Sequence, residues 1–170
     1  MLSPFARAGK LEVLERLTAG RARNVTRAVL EELDRGIHDH PRLADVRGCT
    51  WLEPISVDGL AELGVFAEYV RLLGSGGRHI GEAATLAWAE VHQAVALVDD
   101  DDAAQVGRSR RCEIRRTLAL IAGGIRRAVI AEDEGADLVD DLTRLGGARF
   151  PCDGPTFIRW AEDKGLIVRS

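Results

Sequence analysis

The sequence predicts an α/β protein: a three-layer α/β/α sandwich with a mostly parallel central sheet and extra helices at its carboxyl end. Three observations carry this. Short runs of strand formers alternate with amphipathic helical stretches over the first two thirds of the chain. The run Ala94 to Val98 is apolar on both faces, as a buried parallel strand requires. The last third, from about residue 117, reads as helices alone.

Taken in order, "GKLEVLERLTAG" sets Leu11, Leu14 and Leu17 at helical spacing and closes on Gly20, a left-handed helix stop. "RARNV" then predicts a short strand ending at Val25. A helix follows with Thr26 as N-cap, Val29, Leu30 and Leu33 on its apolar face, and Gly36 as terminator. "CTWLEPI" alternates like a strand, and Leu60, Leu63, Phe66, Val70 and Leu73 mark the next helix. The loop "GSGGRHI" lacks the Lys-Ser/Thr ending of a phosphate loop and reads as a flexible turn. The alanine-rich helix "GEAATLAWAEVHQ" leads into the strand "AVALV", and "CEIRR" is a further strand. "TLALIAGGIRRAVI", "EDEGADLVDDLTRLGGARF" and "GPTFIRWAEDKGLI" complete the chain as helices. The whole of 1–170 is expected to be one domain, with a core over about 1–116 and a helical extension over 117–170.

With 46% hydrophobic and 29% charged residues, and no segment approaching the ~20 apolar residues of a membrane span, the composition is that of a soluble globular protein. The charged amino terminus has no secretory-signal pattern, so a cytoplasmic location is expected, with no membrane partner. Cys49, Cys112 and Cys152 are too widely spaced for a C-x-x-C site and are expected to be free thiols. A net charge of −4 supplies no global attraction for nucleic acid, so a polyanion partner needs a local basic patch or bound cations.

The chemistry is concentrated in "ALVDDDD". In open α/β sheets the functional crevice lies beyond the carboxyl ends of the strands, where Asp99 and Asp100 fall. Crowded carboxylates repel and raise one another's pKa unless a hard cation or basic groups compensate, which points to Mg2+ or Mn2+. Glu82, in the first turn of the preceding helix, and Glu32, late in an earlier one, are expected to converge there. The plainer reading is that such acids cap the next helix and favour its dipole; Asp101 and Asp102 are assigned to it, and Glu31 to solvent. His38 to His40 form a surface "HDH", and His79 and His92 stand apart. Arg108, Arg110, Arg111, Arg115 and Arg116 form the one dense basic stretch, suited either to gripping phosphates or to balancing the aspartates. No nucleophile elbow or Cys/His pairing is present.

In their order and spacing, "ARAGKLEVLERL", "TRAVLEEL", "GEAATLAWAE", "ALVDDDDA", "TLALIAGGIRRAVI" and "FIRWAEDKGLI" resemble the PIN-domain nucleases, in particular bacterial PIN-like proteins related to the toxins of toxin-antitoxin pairs. The resemblance covers nearly the whole chain. It implies a PIN-like fold and hydrolysis of RNA at one or two Mg2+ or Mn2+ ions, held by Glu32, Glu82, Asp99 and Asp100 as metal ligands and catalytic residues. The ions would polarise the phosphate, lower the pKa of a bound water and stabilise the departing oxygen. A small antitoxin protein is an implied partner.

One departure stands out. The family begins with an apolar strand ending in an aspartate, and this sequence starts at Met1 just after that position. The resemblance therefore implies that a strand carrying the first metal ligand belongs upstream, that the chain without it is a poor catalyst, and that exposed neighbouring edges favour a homodimer or higher oligomer. The leading functional expectation is a metal-dependent ribonuclease. Its rival is a non-catalytic PIN-like binding or regulatory module. A third reading, a small phosphatase or nucleotide-binding protein, lacks the early D-x-D that it needs.

Overall fold

The four strand runs read from the sequence all form three-residue strands, the first ending one residue later than expected: β1 (Asn24–Thr26), β2 (Glu53–Ile55), β3 (Val95–Leu97) and β4 (Glu113–Arg115). The structure, a computed structural model, describes residues 1–74 and 79–168. The turn expected at Ser75 to Gly77 lies outside them. All pairing is parallel, as expected, but it occurs as two separate two-stranded sheets, β1 with β2 and β3 with β4. Among the described residues each strand thus has a strand partner on one edge only, and Ala94–Val98 is not the centre of one continuous sheet. Parallel neighbours need a crossover, and each pair has one. α3 (Arg27–Gly36) and a 3₁₀ segment (Pro41–Gly48) intervene between β1 and β2, and α6 (Asp101–Ser109) joins β3 to β4.

The remaining helices are α1 (Leu2–Ala8), α2 (Leu11–Leu17), α4 (Leu60–Leu73), α5 (Ile80–Val91), α7 (Thr117–Arg126), α8 (Glu132–Arg144) and α9 (Gly154–Asp163). Neither α1 nor the 3₁₀ segment is expected from the sequence. α1 carries Ser3 and Pro4, which read as turn formers, and stops at Gly9, which takes the left-handed φ of 68° that glycine adopts most readily. The 3₁₀ segment starts on Pro41, whose fixed φ suits a first turn.

The chain gathers into two units, the first of residues 1–22, 37–49 and 117–170, the second of residues 23–36 and 50–116. In the first unit, α8 packs on α1, α7 and α9. Its interior includes Phe5, Leu17, Ile121, Val139, Leu142 and Phe157. Its exposed edges are tied by Arg16 to Glu134 at 2.6 Å and by Lys10 to Asp141 at 2.8 Å. α9 opens with a capping box, in which the Asp153 carboxylate accepts the Thr156 N–H.

The second unit is built on α5, which packs against α3, α4, α6, β1 and β3. Alanine is what makes this possible: Ala83, Ala87 and Ala89 are buried and admit close neighbours, while Leu86 joins Tyr69, Val98 and Ala103 in the core. A charged clamp holds α4, α5 and α6 together. Arg110 donates to Glu90 at 2.7 and 2.9 Å, pairs with Glu68 at 2.6 Å and lies over the Tyr69 ring, whose hydroxyl donates to Glu90 at 2.7 Å. The Arg110 guanidinium holds the Glu90 carboxyl below the usual glutamate range. Arg110→Ala takes the guanidinium from Glu90, Glu68 and the Tyr69 ring, leaving Glu90 only the Tyr69 hydroxyl as a side-chain donor, so a loss of about 1–3 kcal/mol in urea denaturation is expected.

Candidate functional site

Thr26 ends β1 and its Oγ1 accepts the Val29 N–H at 3.4 Å, so α3 begins without an intervening loop. Leu33 anchors the buried face of α3, which leaves Glu32 half-buried on the adjoining flank and Glu31 exposed to solvent, as expected. α5 starts after His79 with no side-chain cap of its own. Its first-turn N–H groups therefore need an acceptor from elsewhere. Glu32 supplies one: its Oε1 accepts the Gly81 N–H at 2.9 Å, a carboxylate placed against the positive end of a helix.

Glu82 is the next residue, and its carboxyl is pushed upward. Burial is the larger cause, and the charge on Glu32 acts in the same direction. Glu82 Oε2 is buried with no hydrogen-bond partner, and so is the amide oxygen Asn24 Oδ1 on β1. Buried acceptors are nearly always satisfied, so two such oxygens in one unit are notable. Carboxylate oxygens such as those of Glu32 and Glu82 are the donors that a hard divalent cation takes. Glu32 and Glu82 are thus brought together by the packing of α3 on α5.

The four aspartates divide differently. Asp100, expected as a strand-end ligand, is the N-cap of α6, with Oδ1 accepting the Ala103 N–H at 2.9 Å. Asp101 and Asp102 lie exposed in the first turn, where their charge favours the helix dipole, as expected. Because β3 and β4 are parallel and in register, Arg116 just past β4 lies beside the acids just past β3. It donates to the Asp99 carbonyl at 2.5 Å and to the Asp101 carboxylate at 2.6 Å. Among the described residues, no group of three or more His, Cys, Asp or Glu side chains is gathered as a metal site.

The basic stretch is in large part occupied with neighbouring acids. Arg110 serves the α4–α5–α6 clamp, Arg115 pairs with Glu113 at 3.4 Å, and Arg116 holds the aspartate turn; Arg108 and Arg111 are exposed. His92 does not stand apart: its Nε2 lies 2.6 Å from Glu62 Oε1 and its ring stacks on Trp88. All three cysteines are free, and burial pushes the Cys112 thiol up to about 11, which makes it a poor nucleophile. Two residues that sequence reading passes over are Asn24 and Gly81. Asn24 carries no local signal, whereas Gly81 has one in the "GEA" that opens α5.

A family model described as a PIN domain, DUF3368, matches residues 1–153. No curated protein and no solved structure is matched by the chain.

The raised Glu82 carboxyl has a consequence for stability. Its native pKa lies above the ordinary 4.5, so as pH rises through that window the native state retains a proton that the unfolded state has lost. Wild type should therefore lose stability relative to Glu82→Gln as pH rises from about 4.5 toward neutrality, with the variant the more stable at pH 7. Paired thermal melts between pH 4 and 8 check this.

Proposed function

Because the chain belongs to the PIN-domain family, we propose that it is a metal-dependent ribonuclease that hydrolyses RNA phosphodiester bonds in the cytoplasm. In this reading Glu32, Glu82, Asp99 and Asp100 are the catalytic and metal-holding residues. The observation that carries it is Glu82: a buried carboxylate oxygen without a donor, kept beside a second carboxylate that the fold brings to it. Glu32 is accounted for as an acceptor for the start of α5, but Glu82 is not, and two neighbouring carboxylates repel unless one takes a proton or a cation lies between them.

These residues would hold Mg2+ or Mn2+, whose chemistry would be to polarise the phosphate and to lower the pKa of a water so that hydroxide is available as nucleophile at neutral pH. The chain's own residues have separable tasks. Glu32, held by the Gly81 amide, offers its carboxylate in a set orientation. Glu82, whose carboxyl is pushed upward by burial, would give up its proton on holding a cation. Asp99 follows β3 with its backbone carbonyl held by Arg116, and Asp100, which caps α6 through Oδ1, would offer its other oxygen.

Among the described residues each of the four strands has a strand partner on one edge only, and open edges of this kind support self-association, so we propose a homodimer or higher oligomer. The likeness to toxin ribonucleases makes a small antitoxin protein the proposed regulatory partner. The competing reading, a non-catalytic binding module, draws on the use of Asp100 as a helix cap.

The test is cleavage of single-stranded RNA with Mn2+ or Mg2+. Glu32→Gln, Glu82→Gln or Asp99→Asn should each lower the rate ~100-fold or more. Undiminished cleavage by Asp99→Asn removes that residue from the centre. Absence of divalent-ion binding would favour the binding module.

A further inference from the structure

We infer that Gly81 is a positioning residue: having no side chain, it admits the Glu32 carboxylate to the start of α5 and thereby sets the spacing between Glu32 and Glu82. The inference deepens the metal-centre reading and rests on it for its effect on cation binding. The geometry is direct. A Cβ built on Gly81 would lie 2.5 Å from Glu32 Oε2, 3.1 Å from Oε1 and 3.0 Å from Cδ, so any other residue here displaces that carboxylate. The three atoms nearest such a Cβ all belong to Glu32, and the backbone does not demand glycine. Gly81 has an ordinary helical backbone, absent from the positions with left-handed φ, and lies inside α5, where alanine is the better helix former. Its amide is also the group that Glu32 accepts from, at 2.9 Å. One residue therefore both leaves the room and supplies the donor.

The atoms in the way belong to the end of a flexible side chain, so Gly81→Ala should fold. What it disturbs is the place of Glu32. A change of this kind next to a metal ligand typically lowers affinity 10- to 100-fold. If Gly81 acts through Glu32, the loss must disappear once Glu32 has no carboxylate.

The experiment is a four-way comparison of wild type, Gly81→Ala, Glu32→Ala and the double variant, measuring Mn2+ binding by isothermal titration and thermal stability without metal. We expect Gly81→Ala to weaken Mn2+ binding ~10-fold or more in the wild-type background and less than ~2-fold on Glu32→Ala. We also expect Gly81→Ala to raise Tm more on Glu32→Ala than in wild type, because only there does alanine add helix propensity without displacing a carboxylate. An equal loss of Mn2+ affinity in both backgrounds overturns the inference, since a general disturbance of α5 would act that way. If wild type binds no Mn2+, the metal-centre reading fails. The Tm comparison then decides the placement of Glu32 alone: unequal shifts uphold the role of Gly81 and equal shifts overturn it.

Discussion

The second unit depends on how closely α5 is approached by its neighbours. Helices meet at distances set by the side chains between them, and α5 offers alanines and a glycine where most buried helices offer leucines. That choice lets α3 and α4 pack against it while β1 and β3 also lie against it. Two three-residue parallel pairs are poor structures in isolation, because ladder bonds on one edge do not offset the ordering of the backbone. Packing on a well-buried helix is what makes them persist. The same closeness lets a carboxylate from α3 reach the amide of Gly81.

Charge in this unit is handled by local neutralisation. Arg110 serves two glutamates and a tyrosine across three helices, and Arg116 gathers the backbone and side chains of the aspartate turn. These arginines are drawn from the stretch that, in sequence, looked suited to phosphate. Glu82 is the contrast, since burial and a neighbouring acid push its carboxyl the opposite way from that of Glu90, which has Arg110 beside it. The two glutamates stand on one helix, and their surroundings alone separate them.

Legibility followed the range of the signal. β1 to β4 and α2 to α5 were readable because apolar spacing and helix stops such as Gly36 act within a few residues. α1 and the 3₁₀ segment were not, because Pro4 in the one and Pro41 at the start of the other read as turn signals and no apolar period overrides them. Of the acids, the first-turn roles of Asp101 and Asp102 and the exposure of Glu31 were legible. The cap formed by Asp100 shifted the helix boundary by one residue, a difference that propensity does not resolve.

By itself the sequence determined the order of strands and helices, the parallel character that crossovers impose and the likeness to PIN-domain nucleases, because each rests on local pattern or on the succession of patterns. Only the tertiary structure decided that the strands form two pairs rather than one sheet. It alone decided that Arg110 belongs to a clamp, and that Glu32 meets Gly81 across 49 residues of chain. Pairing and charge partnership depend on which surfaces are pressed together, and no periodicity along the chain encodes the distance between them.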